Sequence, residues 1–156
     1  MAQDEGQSGP ELAEPKDKVI LIVDDDESIL DLLEHLIKRE GFRVERAADG
    51  PEALRKVPAL NPDLIILDFM LPGLGGFEVL KELQMGDARS TPIIIITGRR
   101  IDRQTVDMVR QESNVKEFLE KPIKTAILAA MLHRIMRTRP PGVQRQQDRG
   151  PLSSGW

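Results

Sequence analysis

Five short apolar runs, each followed by a stretch whose apolar residues recur at helical spacing, constrain this chain more than any other feature. Lys18 to Val23 leads into Ile29, Leu32, Leu33, Leu36 and Ile37, a pattern that holds until Gly41, a residue suited to stop a helix. Phe42 to Ala47 alternates in and out, as a strand near a sheet edge does. Pro51 opens a short helix through Ala53, Leu54 and Val57, expected to close at Pro58 and the Asn61-Pro62 turn. Leu64 to Leu67 is a third strand, followed by a helix from Phe77 to Leu83 with Phe77, Leu80 and Leu83 inward. Pro92 to Ile96 precedes a weaker helix around Thr105 to Gln111. Val115 to Glu120 precedes a last one marked by Ile123, Ile127, Leu128, Met131 and Ile135. Strict alternation of this kind, with nearly continuous apolar strands, predicts an α/β fold: a parallel sheet covered by helices on both faces. In such sheets the crossovers are right-handed and ligands sit beyond the carboxyl ends of the strands.

The polar residues that close those strands are therefore the candidate site. They are Asp24 and Asp25 after the first apolar run, Asp68 after the third, Thr97 after the fourth and Lys121 after the fifth. If the first and third strands are neighbours, three carboxylates meet at one edge. Two of them about 5 Å apart repel by roughly 3 kcal/mol at an effective dielectric of about 20, so the cluster calls for a cation or a bound proton. A few protein oxygens supplemented by water suit Mg²⁺ better than Ca²⁺. With Lys121 to neutralise a phosphoryl group, Thr97 to hydrogen-bond it and Asp68 as nucleophile, the set can form an acyl phosphate. Each residue also has a plainer use. Asp24 to Asp26 can cap the first helix, Asp68 can form a turn, Thr97 can end a strand and Lys121 can be a solvated charge. Asp26 is read as a cap or surface residue, and His35 and His133 as helix residues without partners.

Composition narrows the alternatives. The chain has 156 residues, 40% of them apolar, enough for one domain with one core. The absence of Cys removes disulfides, thiolate metal sites and thiol nucleophiles, and two unpaired His make a zinc site a poor reading. The net charge of -4 gives no reason to expect direct nucleic-acid binding, and no apolar span suggests membrane insertion, so a cytoplasmic protein is expected. Residues 1–17, with five acids and one Lys, are expected to be a disordered acidic arm. Residues 137–156, with four Arg against Asp148, are expected to be a disordered basic tail, leaving 18–136 as the folded unit.

The runs ILIVDDDESI, LIILDFMLPGLGGFEVL, IIIITG and FLEKP together resemble the receiver domain of two-component response regulators, over roughly Lys18 to Met136. The resemblance implies a five-stranded parallel sheet in the order 2-1-3-4-5 with five helices. It implies that Asp24 and Asp25 form an acidic Mg²⁺ pocket with Asp68 and the backbone carbonyl of Met70, and that Asp68 is the phosphoacceptor. Thr97 would be the hydroxyl that moves toward the phosphoryl group, Lys121 its charge partner and Phe118 the aromatic switch residue. Lys121-Pro122 is expected to be cis, an isomer that is inexpensive only before proline.

Two departures from the family pattern stand out. About two extra residues lie between Thr97 and Lys121, in the segment Gln111 to Val115, where Asn114 is expected to make a left-handed turn. The fourth helix is poor in apolar residues and is surrounded by Arg99, Arg100, Arg103 and Arg110. Met70 and Arg99 occupy positions that tune phosphoryl lifetime in the family, and neither can orient an attacking water as a carboxylate or amide does. Slow self-dephosphorylation is expected.

The function implied is a switch, not a turnover enzyme, that takes a phosphoryl group from a sensor histidine kinase or phosphotransfer protein and changes its affinity for a downstream protein target. A homodimer through the fourth helix, fifth strand and fifth helix fits the same face. A phosphorylation-independent adaptor and a receiver fragment of a longer regulator are the alternatives. An enzyme of the haloacid dehalogenase type is disfavoured, because Met70 stands where a second Asp is needed.

Overall fold

The computed structural model describes residues 11–141. Its strands are β1 (Val19–Val23), β2 (Arg43–Ala47), β3 (Leu64–Asp68), β4 (Ile93–Thr97) and β5 (Val115–Glu120). Its helices are α1 (Glu27–Arg39), α2 (Gly50–Leu60), α3 (Gly76–Gln84), α4 (Arg103–Arg110) and α5 (Thr125–Met136). All strand pairs are parallel and the sheet order is β2-β1-β3-β4-β5, the architecture expected from the sequence.

Strand parity divides the core into two layers. Ile20, Ile22, Leu64, Ile66, Ile94 and Ile96 pack against α1 and α5 through Leu33, Ile37, Leu128 and Leu132. Leu21, Val23, Ile65, Leu67, Ile93 and Ile95 face α2, α3 and α4 through Ala53, Val79, Leu80 and Val109. Every residue of β1, β3 and β4 is buried, and a fully buried aliphatic side chain contributes about 2 kcal/mol, so the central strands anchor the domain. β2 lies at an edge and shows the alternating burial its sequence suggested.

Several local expectations are corrected. Pro58 does not close α2; its ring is exposed in the last turn, and the Asn61 amide still donates to the Val57 carbonyl at 2.8 Å. Asn61, at φ 50°, then ends the helix. Gly41, at φ +101°, does terminate α1: the Phe42 amide donates to the Ile37 carbonyl and the Gly41 amide to that of Lys38, the paired bonds of a Schellman cap. Asn114 has no left-handed backbone. The additional length before β5 is taken up by a register shift that pairs Ile93 with Val115 but Ile94 with Glu117, leaving Lys116 as the inserted residue. Asn114 is buried and works through its side chain, donating to the Thr91 carbonyl and accepting from Gln84.

The edges of the folded unit also differ from expectation. Ala13 pairs with Thr138 in a parallel bridge, Glu14 joins Arg139 at 2.9 Å, and Pro15 is buried beside Gly41. His133 is not partnerless. Its Nδ1 is 2.7 Å from Thr138 Oγ1, its Nε2 is 2.9 Å from Glu40 Oε1, and its ring lies against Phe42. Backbone pairing and this buried His thus bind 13–15 and 138–139 to the domain; of the two expected disordered segments, residues 1–10 and 142–156 lie outside the described residues.

Candidate functional site

The register of the central strands dictates which side chains meet. Val23 pairs with Leu67, so Asp24 and Asp68 leave the sheet at the same level. Asp68 pairs with Ile96 and Thr97 with Glu120, which places Thr97 and Lys121 along the same edge. Backbone bonds hold these exits: the Asp24 amide donates to the Ala47 carbonyl, the Phe69 amide to that of Ile96, and the Lys121 amide to that of Thr97 at 2.8 Å.

Oxygens of Asp24, Asp25 and Asp68 lie within 4.8 Å of one another. Asp24 and Asp68 are buried and Asp25 is exposed at the mouth. Asp24 Oδ1 accepts the Asp26 amide at 2.9 Å, while the buried Asp24 Oδ2 has no hydrogen-bond partner. Lys121 Nζ stands 3.0 Å from that oxygen, a close ion pair. The same ammonium is 3.5 Å from Asp68 Oδ2, and Asp68 Oδ1 accepts the Met70 amide at 3.0 Å. Asp26, with both Ser28 donors on its Oδ1, is the N-cap of α1.

These contacts set the ionisation of the pocket. Burial pushes the Asp68 carboxyl above its ordinary range and the neighbouring charge of Asp24 adds to it, against the Met70 amide and Lys121, which favour the carboxylate. Burial alone would lower the Lys121 pKa, but contact with Asp24 and the charge of Asp68 outweigh it and hold the ammonium charged. Three converging carboxylates with one buried, unsatisfied oxygen fit a hard divalent cation such as Mg²⁺, which would complete what one ammonium only partly neutralises.

The remaining predicted residues are near but differently engaged. The buried Thr97 hydroxyl donates to the Arg99 carbonyl at 3.0 Å and accepts the Arg99 amide at 3.2 Å, so it is turned into its own loop. Lys121-Pro122 is cis. Phe118 is half-buried against Phe69, with the Arg110 guanidinium over its ring. The sequence reading did not single out Phe69. A Cβ on Gly76 would lie 2.5 Å from Phe69 Cα and 2.6 Å from the Asp68 carbonyl oxygen, so only glycine lets α3 begin against the end of β3. The adjacent glycines in GLGGF were the available signal.

A parallel sheet in this order, with acids, a hydroxyl and a lysine gathered at its carboxyl edge, defines a domain of the receiver class. The response regulator receiver domain family matches residues 20–133, and the chain belongs to it. Over 118 residues it is 37% identical to the transcriptional regulatory protein AfsQ1 of Streptomyces coelicolor, covering 76% of this chain and 51% of that protein. Over 120 residues it is 38% identical to the alkaline phosphatase synthesis transcriptional regulatory protein PhoP of Bacillus subtilis, covering 77% and 49%. The chain thus spans about half the length of these curated relatives. The chemotaxis protein CheY4 of Vibrio cholerae superposes with a TM-score of 0.70 at 32% identity, over 76% of this chain and 98% of that one. Members of the family are signalling switches, and among the described residues no helix is long and apolar enough to cross a membrane.

Proposed function

We propose that Asp68 is the phosphoacceptor of a two-component phosphorelay and that Asp24, Asp25 and Asp68, with the Met70 carbonyl, hold Mg²⁺. The observation that carries this reading is the meeting of three carboxylates within 4.8 Å beside a lysine 3.0 Å from Asp24 and 3.5 Å from Asp68. A carboxylate oxygen of Asp68 attacks the phosphorus of a phosphohistidine in a sensor kinase or phosphotransfer protein; the O–P bond forms as the P–N bond breaks, and the imidazole leaves. Mg²⁺, when bound, supplies neutralisation of charge on the phosphoryl oxygens. The raised pKa of Asp68 makes its carboxylate a stronger nucleophile once ionised, and Lys121 favours the ionised form.

The product gives Thr97 and Lys121 a new partner. Thr97 exchanges its bond to Arg99 for one to the phosphoryl group, and Lys121 moves its charge from Asp24 toward it. Phe118 follows, and the face made by α4, β5 and α5 changes affinity for a downstream protein or a second copy. Residue by residue the pocket is complete, which favours this reading over a phosphorylation-independent adaptor, and Met70 disfavours a turnover phosphatase. We place the protein in the cytoplasm, where kinase phosphotransfer occurs, without direct contact to nucleic acid by this domain.

Incubation with acetyl phosphate, followed by intact-mass measurement, tests the reading. One phosphoryl group should be added in the presence of Mg²⁺ and none after chelation. Uptake that is indifferent to chelation rejects the metal pocket; absence of uptake from both acetyl phosphate and phosphohistidine rejects the phosphorelay.

A further inference from the structure

Three of the four phenylalanines in the chain form one row beside the phosphoacceptor. Phe69 follows Asp68 directly. Its ring centroid is 6.2 Å from that of Phe118 on β5, at an interplanar angle of 51°, and 6.3 Å from that of Phe77 on α3, at 64°. Both separations fall within the range of interacting aromatic pairs. A cation stands at each end: Arg110 of α4 is 5.9 Å from the Phe118 centroid, and Lys81 of α3 is 5.4 Å from that of Phe77. The sequence Arg110, Phe118, Phe69, Phe77, Lys81 runs from the α4 and β5 side of the pocket to α3.

The middle of this row is held by backbone contacts on both sides. The Phe69 amide donates to the Ile96 carbonyl at 2.8 Å, its own carbonyl accepts the Gly76 amide at 3.2 Å, and Gly76 packs on its Cα. The three rings are only half-buried. A displacement of Phe118 therefore changes its contact with a ring whose backbone is fixed.

We propose that Phe69 is a positioning residue of the switch: its ring couples Phe118 to Phe77, so that the state of Asp68 is reported on α3 as well as on the face of α4, β5 and α5. This rests on the reading of Asp68 as phosphoacceptor and Phe118 as the residue that responds to it. It gives the domain a second responsive surface, centred on Phe77 and Lys81. The two arrangements that such coupling requires are those of Phe118 under the proposed switch, and the ring of Phe69, in contact with both neighbours, is the path by which they would reach α3.

The two terminal cations are built-in reporters, because each lies within the ring-current field of the phenylalanine it covers. In the full chain with Mg²⁺, beryllofluoride should shift the NMR signals of the pocket amides, of Arg110 Nε and of the Lys81 side chain. In Phe69→Leu the pocket and Arg110 shifts should persist while the Lys81 shift is lost. Phe69→Met, closer in length and flexible, serves as a second variant should the first fold poorly, with the same expected loss. A Lys81 signal that is unmoved in the wild type, or equally moved in a folded Phe69 variant, overturns the coupling and leaves the phosphoacceptor reading intact. Pocket amides that do not respond at all overturn both.

Discussion

Lys121 Nζ lies closer to Asp24, at 3.0 Å, than to Asp68, at 3.5 Å. The ammonium thus occupies the side of the pocket where the unsatisfied Asp24 oxygen would serve a metal. Lysine and a bound Mg²⁺ would compete for one carboxylate, and loading the cation would oblige Lys121 to withdraw toward the place where a phosphoryl group would sit.

Lys121→Gln should therefore bind Mg²⁺ more tightly than the wild type, on the order of tenfold, which corresponds to about 1.4 kcal/mol. Calorimetric titration of the unphosphorylated protein checks this. Equal or weaker binding by the variant would mean that the ammonium does not oppose the metal.

The raised pKa of Asp68 has a definite sign in stability. Relative to its ordinary value of 3.8, the folded state holds the proton more readily than the unfolded state. The associated stability is complete below the unfolded value and is lost as pH rises through the folded one. At pH about 7 without metal, the ionised group is a burden, and Asp68→Asn should stabilise the fold. Denaturant titrations in chelator should show that gain shrinking on acidification toward the unfolded pKa. A gain that grows on acidification would contradict the sign.

Gly76→Ala forces a Cβ onto the Asp68 carbonyl and Phe69 Cα, both backbone atoms that cannot swing away. The expected loss is about 1–3 kcal/mol, with slower phosphoryl uptake because the exit of β3 must shift. Gly86→Ala, where a Cβ meets open space, is the control and should remain within about 0.5 kcal/mol of the wild type. Equal stability of the two variants would dispose of the close-approach argument.

If Asp68 is phosphorylated as proposed, Met70 and Arg99, each two residues beyond Asp68 and Thr97, offer no side-chain carboxylate or amide to orient an attacking water. The purified phosphoprotein should therefore lose its phosphoryl group slowly, and Met70→Asn or Met70→Glu should shorten its life. A half-life of only seconds in the unsubstituted protein would refute this.

Much of this molecule was legible in its sequence because the informative signals were local. Continuous runs such as VILIV and IIIIT can be satisfied only by burial on both faces, and strand ends carry their next residues to the same edge whatever the rest of the chain does. What escaped depends on distant partners. His133 meets Glu40 across 93 residues, and Ala13 meets Thr138 through backbone that leaves no mark in residue type. The shift at Lys116 is a choice of register that length alone did not reveal, so a left-handed Asn114 was expected in its place. Thr97 was identified, but the direction of its hydroxyl is settled by the Arg99 loop, and the aromatic row through Phe69 exists only once three elements are packed.

The central claim is that Asp68, and not Asp24 or Asp25, takes the phosphoryl group. Intact-mass measurement after incubation with acetyl phosphate and Mg²⁺, run on the wild type and Asp68→Asn side by side, tests it most directly. One phosphoryl group on the wild type and none on the variant is the predicted result; undiminished uptake by Asp68→Asn would contradict it.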